Sequence, residues 1–209
     1  MPARKQRAKQ VPAALGFRAH SGWAAMVAVA GTRRAPVVLD RRKIILADPQ
    51  ISGSKQPYHF AEPMEFSKAE SYVSRCIERT NALARESVGA VLKELRRNGH
   101  TIVGGGLLLG SGRPIPALPA ILASHPMIHT AEGELFRDAL RQACQRCRVP
   151  VAGIKEKQLF DLGTARLKIP VAQLRHRLHK LGQSLGPPWT VDQKLATLAA
   201  WLALADAGR

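Results

Sequence analysis

Acidic side chains are in short supply in this 209-residue chain: 15 Asp and Glu stand against 32 Lys and Arg, giving a net charge of +17 and a pI near 10.9. That balance disfavours a cationic partner and points to a polyanion, nucleic acid before an acidic membrane. Aromatic residues are few, three Trp, two Tyr and five Phe. Scarce aromatics argue against single-strand binding on stacking platforms and favour duplex or structured DNA or RNA. Three cysteines, an odd number, exclude a disulfide framework and fit a reducing, cytoplasmic setting. No apolar run reaches the roughly 20 residues that cross a bilayer. The run Trp23 to Gly31 is too short, and Arg18 and His20 separate it from the basic Arg4-Lys5-Arg7, which speaks against a signal peptide. No membrane partner is expected.

What is present suits one globular domain. Hydrophobic residues make up 45% of the chain, enough for a sizeable core. Residues 1–12 form a basic tail without apolar periodicity, expected to be disordered, and residues 13–209 form a single domain. Leu15 to Gly31 reads as one strand buried on both faces, followed by short strands at Val37–Leu39 and Ile44–Leu46, an antiparallel meander. Ser67 to Asn98 carries Val73, Ile77, Ala84, Val88, Val91 and Leu95 on one helical face, with Gly99 as its stop. Thr101–Leu109 is a second buried strand. Helices follow from Thr130 to Cys147, twice within Lys155–Leu185, and after Thr190, with a short strand over Arg148–Ile154.

Three antiparallel strands followed by crossover units predict an α/β fold with a mixed sheet flanked by helices. The order resembles the ribonuclease-H-like superfamily, and local stretches resemble its Holliday-junction resolvases of the RuvC type. Gly22-Trp23-Ala24-Ala25-Met26-Val27 is similar to their first strand, and Gly133 to Leu140 with Val149-Pro150-Val151 to their helix leading into a Pro-Val strand. Asp192 with Ala196 to Leu204 resembles their acid-bearing last helix. The resemblance implies two-metal hydrolysis, which needs several converging carboxylates. Most of those acids are absent: Arg18, Ala19 and His20 stand where the first-strand acid is expected. Val103 to Gly106 offers none, and Leu195 follows Asp192 by three.

Asp192 has a simpler reading as an acid in the first turn behind the N-cap Thr190, and Glu132 and Glu134 as acids in the first turn after Thr130. A divergent catalytic site would combine His20, His129, Glu132 and Asp192, with magnesium or manganese as cofactor; otherwise no cofactor is expected. Cys144-Gln145-Arg146-Cys147 lacks the second pair a zinc site needs, and His176 and His179 lie among cations. Gly104-Gly105-Gly106 with Gly110 and Gly112 reads as a strand end and turn rather than a phosphate loop.

The basic segment from Arg141 to Lys180 is the stronger functional signal. Arg146, Arg148, Lys155, Lys157, Lys168, Arg175, Arg177 and Lys180, with Arg4, Lys5, Arg7 and Lys9 of the tail, are the candidate phosphate contacts. The sequence thus predicts a nucleic-acid-binding domain without the usual two-metal activity. A divergent metal-dependent nuclease and a structural or protein-interaction module are the alternatives.

Overall fold

A computed structural model describes residues 10–110, 112 and 114–208. Arg4, Lys5, Arg7 and Lys9 lie outside the described residues. In chain order the elements are β1 (Val11–His20), β2 (Trp23–Gly31), β3 (Pro36–Ile45), α1 (Pro57–Ala61), α2 (Phe66–Arg97), β4 (His100–Leu109) and α3 (Leu118–Leu122). Then come α4 (His125–Arg146), β5 (Val151–Lys155), α5 (Leu159–Leu167), α6 (Val171–Leu181) and α7 (Val191–Asp206). The sheet order is β3-β2-β1-β4-β5. β3, β2 and β1 are antiparallel, whereas β4 and β5 run parallel to β1. This is the mixed sheet, an antiparallel three-strand meander plus parallel strands flanked by helices, that the element order predicts.

Three local expectations are corrected. The run Leu15 to Gly31 is not one strand but a hairpin, turned at Ser21-Gly22, where Gly22 takes φ +79°. Both arms are apolar because both are covered on two faces, so composition hides the turn. β3 continues through Asp40-Arg41-Arg42-Lys43. The charges are accommodated because Arg42 bonds Glu94 of α2 at 2.6 Å and Arg41 caps carbonyls of the loop before α7, including Leu185 O at 3.0 Å. α4 begins at His125 behind Ser124, with Pro126 in its first turn, so Glu132 and Glu134 fall beyond the first turn. β1 itself starts at Val11, whose N–H donates to Gly99 O.

Side-chain alternation along the strands decides what reaches which face. Leu15 and Phe17 of β1 join Met26, Leu107, Val88 and Phe136 in a core beneath α2 and α4. Ala14 of β1 points the other way, with Val27 and Val29, onto Ala196, Ala200 and Leu204 of α7. α2 supplies the predicted stripe, Val73, Ala84, Val88, Val91 and Leu95 being buried.

The seat of α7 depends on two glycines. Gly16 and Gly106 are register partners on β1 and β4. A Cβ on Gly16 would lie 1.8 Å from Ala196 O, and one on Gly106 would lie 2.5 Å from Ala199 O. The helix backbone therefore rests on the sheet backbone. Gly104 to Gly106 are mid-strand residues of β4, within the expected Thr101–Leu109 strand, and of the three Gly106 is the one that the close approach of α7 holds to glycine.

Candidate functional site

Arg18 and His20 share the α7 face of β1 with Ala14 and Gly16, and they emerge at the carboxyl end of the strand. The carboxyl ends of β4 and β5 lie alongside. In parallel α/β sheets this edge is where ligands bind. A cleft of about 850 Å³ opens here, lined by Arg18, Leu108, Gly110, Arg137, Glu156 and Lys157 among others.

The geometry at this edge is a closed ionic cluster. Arg18 donates Nε and Nη2 to the two carboxylate oxygens of Glu156, just after β5, at 3.0 and 2.9 Å. Its Nη1 donates to Asp192 Oδ1 in the first turn of α7, and His20 Nε2 lies 3.1 Å from the same oxygen. The hydrogen bond to Glu156, ahead of the charges of Glu156 and Asp192, raises the Arg18 pKa further above its ordinary value, against the opposing pull of burial. Thr190 caps α7 through a reciprocal capping box with Gln193, so Asp192 is fixed by its helix start as well as by Arg18. The His20 ring stacks on Trp23 at 4.3 Å, and Lys43 Nζ lies 4.7 Å over the other aromatic system's centre. Trp23 is thereby engaged on its own neighbours rather than presented as a stacking platform.

These residues do not fit a pair of magnesium ions. A dication needs free carboxylate oxygens, but here both oxygens of Glu156 and one of Asp192 are bonded to a fixed guanidinium. Arg18 carries the compensating positive charge itself.

The grouping of His20, His129, Glu132 and Asp192 into one site does not form. His20 and Asp192 lie on the α7 face of the sheet, whereas His129 and Glu132 belong to α4 on the opposite face. There Glu132 is buried, 4% exposed, and its Oε1 accepts from Tyr58 N at 2.9 Å and His59 N at 3.1 Å and lies 3.2 Å from His59 Nδ1. Burial pushes its pKa up to about 7, although the two backbone N–H groups pull the other way. His129 meets His125 and His59 instead, its Nε2 standing 3.1 Å from His125 Nε2. Of these partners, His59 was missed by sequence reasoning because it lies in an aperiodic segment. The His125-X-X-X-His129 spacing on a helix is the signal that points to it.

The predicted phosphate contacts are spread over several surfaces. Arg146 and Arg148 precede β5 while Lys155 ends it and Lys157 follows, so the two pairs lie at opposite ends of that strand. Lys168, Arg175 and Lys180 are exposed around α5 and α6, Arg175 lies 4.0 Å over Phe160, and Arg177 is half-buried. The structure adds two cations that the sequence reading passed over, Arg33 and Arg34 in the turn between β2 and β3. They line a cleft of about 380 Å³ with Lys168, Arg177, Gln173, Leu167 and Ile169, and no carboxylate is among its lining residues. A neighbouring cleft of about 440 Å³ shares Arg34 and Arg177 and adds Lys180 and Ser184. Trp201 of α7, fully buried, donates Nε1 to Arg33 O at 2.9 Å and so fixes this turn.

Cys144 is buried and Cys147 half-buried, and neither they nor His176 and His179 gain a third ligand among the described residues. No described helix is long and apolar enough to cross a membrane.

No family model matches the chain, and no curated protein matches it. Among solved structures, T. thermophilus RuvC in complex with Holliday junction substrate aligns at a TM-score of 0.49 and 13% identity, over 91% of this chain and 90% of that one. A Thermus thermophilus RuvC structure aligns at 0.49 and 11%, over 91% and 92%. The chemistry of this chain therefore rests on its own side chains.

Proposed function

We propose that this protein binds the phosphate backbone of duplex or structured nucleic acid, without two-metal cleavage at the carboxyl edge of its sheet. The cleft formed by Arg33, Arg34, Lys168 and Arg177 carries this reading: four cations converge on one concave surface with no carboxylate among the lining residues. Convergent guanidinium and ammonium groups recognise phosphate oxygens by charge-assisted hydrogen bonds, and the net charge of +17 supplies the long-range attraction. The ionic cluster of Arg18, Glu156 and Asp192 supports the absence of metal chemistry, because its acids already have their counter-charge.

The test is binding of a short duplex and of branched DNA across a salt series. Each phosphate contact contributes a slope of about −0.9 in log affinity against log salt. Replacing Arg33, Arg34 and Lys168 with Ala, all three exposed, should flatten that slope by about 3. Binding that is insensitive to salt, or unaltered in the triple variant, would instead favour a protein-interaction module. Cleavage in magnesium or manganese that disappears in Asp192→Ala would make the protein a divergent nuclease.

A further inference from the structure

We propose that His59, His125 and His129 form a binding site for a borderline divalent transition metal of the zinc class, on the helical face remote from the ionic cluster. His125 and His129 occupy successive turns of α4 on one side, and His59 reaches them from α1. One ligand nitrogen from each lies within 4.8 Å of the others. Around a tetrahedral zinc, nitrogens at about 2.05 Å from the metal stand about 3.3 Å apart. The Nε2 atoms of His125 and His129 are already 3.1 Å apart, close to that spacing.

Glu132 completes the arrangement as a positioning residue. Its Oε1 is held by two backbone N–H groups and lies 3.2 Å from His59 Nδ1; with the proton on that nitrogen, Nε2 is left as the donor for a metal. A buried carboxylate behind a ligating imidazole is the recurring support of histidine metal sites. Three imidazole ligands with no carboxylate in the group suit zinc, cobalt, nickel or copper rather than magnesium or calcium. His125 and His129 are exposed, so an ion has access and a fourth position stays open to water. An ion bound here would tie the five-residue α1 to the start of α4.

Cobalt(II) added to metal-free protein provides the first readout. A single equivalent should bind with the intense visible absorption of a four-coordinate site, and zinc should displace it. His125→Ala and His129→Ala should each weaken zinc binding by at least about 100-fold, and Glu132→Gln by about 10- to 100-fold. His176→Ala/His179→Ala should leave it unchanged. Circular dichroism without metal checks that each exposed-histidine variant remains folded. Absence of stoichiometric binding by the folded native protein, or binding that survives in His125→Ala and His129→Ala, overturns the site.

Discussion

Replacing Arg18 with Met keeps the apolar stem but removes the charge that joins β1, β5 and α7. The magnitude follows from exposure. Arg18 and Asp192 side chains are each 23% exposed, and Glu156 is 43% exposed. The Glu156 pair is therefore screened and adds at most about 1 kcal/mol, while the more enclosed contact with Asp192 adds about 1 to 2 kcal/mol. Asp192 keeps His20 at 3.1 Å and the positive end of α7, so the loss stays near 2 kcal/mol rather than the larger cost of an isolated buried charge. For a chain of this size that is a fall in Tm of about 4 to 8 °C. A double-mutant cycle with Asp192→Asn isolates the pair and should give a coupling of about 1 kcal/mol in urea unfolding. The same variant leaves Asp192 and Glu156 without their shared cation. Millimolar magnesium should then raise the Tm of Arg18→Met but not that of the native protein, since only the former offers free carboxylates. Coupling below about 0.3 kcal/mol, or equal magnesium responses in both proteins, would refute the assignment of Arg18 as the resident cation of this edge.

Three further outcomes are expected. Gly16→Ala forces a Cβ against Ala196 O and should cost about 3 kcal/mol or more. Gly89→Ala, with nothing within 4 Å in the middle of α2, should gain about 0.5 to 1 kcal/mol; the two melts read opposite signs. Lys168→Gly relieves a left-handed φ of +60° at the end of α5, so it should stabilise by about 1 kcal/mol while lowering the salt slope of nucleic-acid binding by about 1, a split that calorimetry and anisotropy resolve. Thiol titration of the native protein at pH 8 should label Cys147 first. Cys144, its thiol pushed up to about 12 by burial, and the buried Cys76 should react only on unfolding; equal rates for all three would contradict the packing.

The fold was legible where periodicity or punctuation is strong. α2 announces itself through Val73, Val88, Val91 and Leu95, and α7 through Thr190 and Asp192 ahead of an Ala/Leu run. The hairpin at Ser21-Gly22 was not legible, because two strands covered on both faces have the composition of one long strand. Gly104 to Gly106 fell within the expected Thr101–Leu109 strand, but the need for glycine at Gly106 shows only once α7 is in place. The site residues divide in the same way. Arg18 was visible as a cation where an acid was expected, yet Glu156 as its main partner lies 138 positions away and carries no local signal. His129 and Glu132 both lie on α4, as the helix expected from Thr130 to Cys147 and the nearby His129 suggest. Joining them to His20 and Asp192 failed because nothing in the sequence says that α4 and α7 cover opposite faces.

One helix connects the ionic edge to the cationic cleft. Asp192 in the first turn of α7 meets Arg18, and Trp201 nine positions later holds the turn that carries Arg33 and Arg34. At 1.5 Å per residue these anchors are about 14 Å apart along the axis. Because Gly16 and Gly106 admit the helix at backbone contact, α7 has no room to slide or rotate without a clash, so both anchors keep one register. A side chain larger than hydrogen at either glycine should therefore disturb two distant surfaces together. Gly106→Ala should weaken salt-dependent binding at the cleft and reduce the coupling between Arg18 and Asp192 in the same protein. If a folded Gly106→Ala variant lost only one of these, the two ends of α7 would be positioned independently, and the cleft would owe its shape to α5 and α6 rather than to the glycine seat.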